Sequence, residues 1–149
     1  MTLKIPEGFK KFEGHVGFVE LTGPLWIKRT EDAAYLGLRV EEKHCNIGGI
    51  CHGGLLMYFA DMQLGVGAQA ASDVRKFIPT IQMSCDFVSP VSEGAWLEGR
   101  TELIKQTRNL MFATCILTAD GKNAFSGSGI MKIPSDKGSY SDVFLPQES

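Results

Sequence analysis

Residues 54–72, GLLMYFADMQLGVGAQAAS, are apolar or small at nearly every position. A helix that is hydrophobic all round must be buried rather than lie on a surface. The run at 55–71 is a poor membrane span, because it carries Asp61, Gln63 and Gln69 and is interrupted by Gly65 and Gly67. What surrounds it must therefore be protein. The flanking segments read as strands. Residues 25–30 and 33–41 come before it, with Glu31-Asp32 as the turn, and Leu36, Leu38 and Val40 alternate with Gly37, Arg39 and Glu41. Alternation returns over 75–91, with Ile81, Met83, Cys85 and Phe87 on one face and Thr80, Gln82, Ser84 and Asp86 on the other. Strands at 96–105, 110–118 and 123–133 follow, and Asp120-Gly121 marks a two-residue hairpin between the last two. Phe9, Phe12, Val16 and Val19 predict a short covering helix within residues 6–21, ended by Gly23-Pro24. The expected fold class is α+β: one long helix wrapped by an antiparallel sheet of five to six strands. One sheet covers one side of an all-apolar helix, and a second copy of the chain is the simplest cover for the other.

The remaining composition narrows the function. The chain has 149 residues, enough to bury a sizeable core in one domain. It is expected to be a single domain over 1–149, with its core at about 23–133 and a loose tail at 134–149. Fifteen Lys and Arg against 17 Asp and Glu give a net charge of −2, without a basic block, which argues against a nucleic-acid binder. Neither an apolar leader region nor a membrane span is visible, so a cytoplasmic protein with reduced thiols at Cys45, Cys51, Cys85 and Cys115 is expected.

Chemistry concentrates in NIGGICHGGLLMYFAD, residues 46–61. Its glycines permit tight turns and close approach of a ligand. The helix starting near Gly53 presents unpartnered N–H groups and a positive dipole end, suited to a polarised carbonyl or oxyanion. Asn46 can add an amide donor. Asp61 is the anomaly, a carboxylate among Phe59, Ala60, Met62 and Leu64, on a face shared with small Gly54, Gly65 and Ala68. Eight residues of helix, about 12 Å, separate Gly53 from Asp61. Both can act on one carbonyl only if two helices lie antiparallel and the two groups come from different chains.

The pattern Asn46-x-x-Gly49-x-x-His52-Gly53-Gly54 followed by Ala60-Asp61, with Phe87-Val88-Ser89-Pro90 downstream, resembles the signature of hotdog-fold acyl-CoA thioesterases. It is most similar to the 4-hydroxybenzoyl-CoA thioesterase superfamily branch that includes the phenylacetate-pathway and thioesterase-superfamily-member-2 types. The strand order from about residue 23 to 133 resembles that fold as well. The resemblance implies hydrolysis of an acyl-CoA to a free acid and CoA, by a homodimer or homotetramer, without metal or other cofactor. It implies that Asn46 and the Gly53 N–H polarise the thioester carbonyl and that Asp61 of the partner subunit is general base or nucleophile. Thr80 would assist the carboxylate or the water, standing where close relatives carry Ser. His52 would orient the loop through a bond to Asn46. Gly54, Gln82, Lys105, Arg108 and Lys132 would contact substrate or CoA, with Asn109 in place of the family's frequent hydroxyl residue.

Each residue also has a plainer reading. Asp61 could accept bonds across a dimer seam, Asn46 could build an Asx turn, Thr80 could be an ordinary strand residue, and Lys105, Arg108 and Lys132 could be solvated charges. His44, Cys45, Cys51 and His52 form H-C-x5-C-H, which departs from zinc-knuckle spacing, so no metal is expected. Two rival functions use the same fold: a non-catalytic acyl-CoA or acyl-carrier binding module, and an enoyl-thioester hydratase. The hydratase needs a further histidine, and only His15 and His44 are available.

Overall fold

The computed structural model describes residues 4–13 and 17–135. The elements run β1 (Lys10–Lys11), α1 (Gly17–Thr22), β2 (Trp26–Arg29), β3 (Ala34–Arg39), a 3-10 turn (Glu42–His44), α2 (Gly53–Ala70), β4 (Thr80–Phe87), β5 (Trp96–Gln106), β6 (Leu110–Ala119) and β7 (Lys122–Lys132). Seven strands form one sheet in the order β1-β2-β3-β5-β6-β7-β4, every neighbouring pair antiparallel. The architecture is the expected α+β layer with one strand more than five to six, because Lys10 and Lys11 pair with Ile27 and Trp26. The covering helix is correspondingly shorter than 6–21: of the described residues there, only those from Gly17 onward are helical. Most of the 134–149 tail lies outside the described residues.

Helix α2 buries Leu56, Phe59, Ala60, Leu64 and Ala68 against one face of the sheet. Each fully buried large apolar side chain contributes about 1.5–3 kcal/mol. The helix comes close because the sheet and helix carry glycine where they touch. A Cβ at Gly67 would lie 2.3 Å from the Thr101 Oγ1, and one at Gly129 would lie 2.9 Å from the Leu64 Cδ1. The β6–β7 hairpin turns at Asp120 (φ 49°) and Gly121 (φ 82°), the left-handed pair that a two-residue turn requires.

Gln63 is fully buried, and its place follows from the sheet. Strands β3 and β5 pair only from Gly37↔Glu98 to Arg39↔Trp96. Beyond Gly37 they splay, leaving the Leu36 N–H and the Ala34 carbonyl without strand partners on that side. The Gln63 amide fills the gap. Its Oε1 accepts from the Leu36 N–H (2.8 Å), and its Nε2 donates to the Ala34 carbonyl (2.9 Å) and the Thr101 Oγ1 (2.8 Å). Gly99 leaves room for it, since a Cβ there would sit 2.6 Å from the Gln63 Cγ.

Candidate active site

Helix α2 begins at a hairpin-like loop held by the Asn46 N–H to the Ile50 carbonyl (2.8 Å) and the His52 N–H to the His44 carbonyl (2.8 Å). Buried His44 anchors it. Its Nδ1 accepts from the Glu41 N–H (2.9 Å) and its Nε2 donates to the Thr22 carbonyl (2.5 Å). Both ring nitrogens are thus spent on backbone groups. Among the described residues no cluster of His, Cys, Asp and Glu could hold a metal ion. Burial pushes the Cys51 thiol up to about 12, helped by neighbouring Cys45, and raises Cys45 as well, with Glu93 and Glu42 adding to the effect.

His52 does not bond Asn46. It is the N-cap of α2, and its Nδ1 accepts from the Gly54 N–H (2.9 Å). The cap therefore consumes the Gly54 donor, while the Gly53 N–H makes no hydrogen bond among the described residues. Asn46 does build the Asx turn: its Oδ1 accepts from the Gly48 N–H (2.9 Å), which leaves its NH2 group to donate elsewhere. Phe87 packs on this helix end, since a Cβ at Gly53 would come within 3.1 Å of its ring. Two turns further along, Asp61 is half-buried and its Oδ1 accepts from the Thr80 Oγ1 at 2.5 Å.

The Thr80 contact corrects the strand alternation read from sequence. The pairing shifts register between Thr80 and Gln82, leaving Ile81 as an extra residue. Thr80 turns in toward α2, while Gln82 is exposed and donates to the Ser84 Oγ (2.8 Å). Ile81 and Phe87 are exposed, and Met83 and Cys85 only half-buried, because β4 is an edge strand. Asp61 and Thr80 open onto a cavity of about 460 Å3, walled by Tyr58, Met62 and Gly65 of α2, Phe18 of α1, and Phe77 and Ile78 of the segment before β4. The cavity itself has no signature in the sequence. Tyr58 reads as core, and only the smallness of Gly65 on the Asp61 face pointed toward open space.

Asn46, His52, Gly53 and Gly54 do not line this cavity. One chain thus brings Asp61 to Thr80 but leaves the N-terminus of α2 about 12 Å away along the helix. Lys105, Arg108 and Lys132 are all exposed at one end of β5, β6 and β7. Lys132 pairs with Leu110, beside the turn carrying Arg108, and Thr80 pairs with Met131, so this cationic end borders the Asp61 cavity.

The sequence profile described as Thioesterase superfamily matches residues 48–124. The Pseudomonas aeruginosa protein named "Putative esterase PA0474" is 31% identical over 133 residues, covering 89% of this chain and 99% of that protein. The structure of zebrafish thioesterase superfamily member 2 superposes with a TM-score of 0.71 at 23% identity, covering 79% of this chain and 87% of that one. A hypothetical thioesterase of Streptococcus pneumoniae TIGR4, solved with coenzyme A, gives 0.68 at 19% identity, covering 76% and 88%. These structures share the hotdog fold seen here, and the profile spans more than half of the sequence. With a relative aligned along almost its whole length, the chain belongs to the thioesterase superfamily.

Proposed function

We propose that the protein hydrolyses an acyl-CoA thioester at a site shared by two subunits, with water as the second substrate and no cofactor. The observation that carries this is Asp61: a carboxylate in an apolar cavity wall, oriented by Thr80 on one oxygen, with no hydrogen bond to its other oxygen among the described residues. That second oxygen takes a proton from water as the resulting hydroxide attacks the thioester carbonyl carbon. Charge builds on the carbonyl oxygen, where the partner's α2 N-terminus supplies the Gly53 N–H, the Asn46 amide and the helix dipole. Collapse of the tetrahedral intermediate breaks the C–S bond, and the departing thiolate takes the proton back from Asp61. Direct attack by Asp61, through an anhydride that water then opens, uses the same placement. His52 acts as a positioning residue through its cap.

Assembly is part of the proposal. Among the described residues strand β4 is an unpaired sheet edge, and on it or next to it Ile81 is 57%, Phe87 55% and Val88 56% exposed. A second copy on this side would cover them and bring the two α2 helices together. The CoA-bound pneumococcal structure supports CoA as the carrier, and Lys105, Arg108 and Lys132 supply cations for its phosphates. The hydratase alternative lacks support from the described histidines, since His44 is locked on backbone groups and His52 caps α2.

The test is thioester cleavage over an acyl-CoA panel, comparing native protein with Asp61→Asn. Loss of about 10²–10⁴-fold in kcat is expected for removal of a general base. An undiminished rate in the variant, or acyl-CoA binding without turnover in both proteins, refutes the mechanism.

A further inference from the structure

We infer that the acyl group is a long, unsubstituted hydrocarbon chain of about ten to sixteen carbons, and that Gly65 keeps open the channel it occupies. The inference rests on the hydrolase reading for its substrate, but its evidence is the shape and chemistry of the cavity.

Size comes first. A dry cavity of ~150 Å3 holds one benzene ring. The space beside Asp61, about 460 Å3, takes roughly three times that amount of hydrocarbon, well beyond an acetyl, butyryl or single aryl group. The cavity follows α2 from Tyr58 to Gln69. Since the reacting carbonyl must lie at Asp61, the longer arm runs toward Gln69, between the second half of α2 and the segment at Phe77 and Ile78.

Gly65 sits on that arm, one helical turn after Asp61 and on the same face. Glycine is the poorest helix former after proline, so a mid-helix glycine needs a reason. Gly67 has one inside the chain, the Thr101 side chain 2.3 Å from where its Cβ would be. Gly65 has none: apart from its chain neighbours and the adjoining helix backbone, no described atom lies within 4 Å of its Cβ position. What its missing side chain leaves free is the channel itself.

Polarity separates a plain chain from a hydroxylated one. The Tyr58 hydroxyl lies 3.0 Å from the Thr22 Oγ1, which itself lies 2.8 Å from the Phe18 carbonyl. With the Thr22 proton on that carbonyl, the Tyr58 proton is donated to Thr22. The Gln69 Nε2 donates to the Lys76 carbonyl (2.6 Å), and the Thr80 hydroxyl is committed to Asp61. The Thr80 hydroxyl, one Gln69 N–H and the Tyr58–Thr22 pair are thus already bonded within the chain. A hydroxyl on the acyl group would give up its water there for few open partners along a mainly apolar wall.

The experiment measures kcat/KM for acetyl-, butyryl-, dodecanoyl-, hexadecanoyl-, phenylacetyl- and hydroxyphenylacetyl-CoA by loss of thioester absorbance. The same proteins are titrated with dodecanoate, the product acid, by thermal shift. Native protein is expected to favour dodecanoyl- over butyryl-CoA by at least about a hundredfold, since each buried methylene is worth about fourfold in affinity at full burial. In Gly65→Leu the dodecanoyl-to-butyryl ratio falls at least tenfold and the dodecanoate shift disappears. Gly65→Ala, which favours the helix, lowers the ratio less and guards against a folding defect in the larger variant. A native preference for butyryl or hydroxyphenylacetyl groups, or a ratio unmoved in both variants, overturns the inference while leaving the hydrolase standing. Absence of turnover with all six substrates removes the hydrolase reading. In that case a Gly65-sensitive dodecanoate shift still supports the channel, and no shift overturns both.

Discussion

If each active site draws Asp61 from one chain and the α2 N-terminus from the other, two inactive variants must rescue one another. Asp61→Asn removes the base. Asn46→Asp keeps the Oδ1 that accepts from the Gly48 N–H, so the loop stays folded, but it replaces the amide donor with a charge that repels the oxyanion. Each homo-oligomer should lose at least about 10²-fold, the usual cost of a base or of one oxyanion donor. Within one chain the two groups stand about 12 Å apart along α2, whereas groups acting on one carbonyl must approach it to about 3 Å. In a mixed dimer, one site receives both defects and is dead. The other receives native Asp61 from the Asn46→Asp chain and native Asn46 from the Asp61→Asn chain. The purified heterodimer should therefore recover about half of native activity, one intact site of two under twofold symmetry. Co-expression with two different tags, sequential affinity capture and thioester cleavage on the captured species decides the matter. Activity in the heterodimer no higher than in either homo-oligomer would refute the shared site, because a site built within one chain leaves both sites defective.

Thr80→Val should lower kcat at least about tenfold with little change in KM, as expected for a group that positions the base rather than binds substrate; steady-state kinetics checks this. Gln63→Leu should destabilise the fold by about 2–6 kcal/mol, because the buried Leu36 N–H and Ala34 carbonyl each lose a partner at about 1–3 kcal/mol. Urea unfolding with an unchanged m-value and less than about 0.5 kcal/mol of loss would contradict the role given to that side chain. Burial raises the Cys51 and Cys115 thiols to about 12 from an ordinary 9.0. Their raised folded values mean that their contribution to stability is complete below pH 9 and is lost as pH climbs toward 12, where only the unfolded chain has already ionised. Equilibrium unfolding across that range should show the decline, and iodoacetamide at pH 8 should leave both thiols unmodified until the protein unfolds.

What the sequence determined by itself was local or periodic. The all-apolar segment had to be a buried helix, and α2 spans Gly53–Ala70. Asp120-Gly121 had to be a tight turn, and both residues take positive φ. A carboxylate in that helix had to be anomalous, and the N-terminal glycines had to leave room, as they do for the Phe87 and His52 rings. Tertiary structure decided the rest, because the deciding partners are remote in the chain. The pairing of Thr80 with Asp61 depends on one extra residue in β4, and period-two alternation is blind to a bulge. The reason for Gln63 is a divergence between β3 and β5, two strands more than fifty residues apart; in the sequence it registered only as a polar residue inconsistent with a membrane helix. His52 turned from Asn46 to the Gly54 N–H because a helix start leaves its first donors unmet, and the nearest acceptor takes them. The channel along Gly65 is the clearest case: a sequence records that a side chain is missing, and only packing shows whether protein or empty space stands where it would have been.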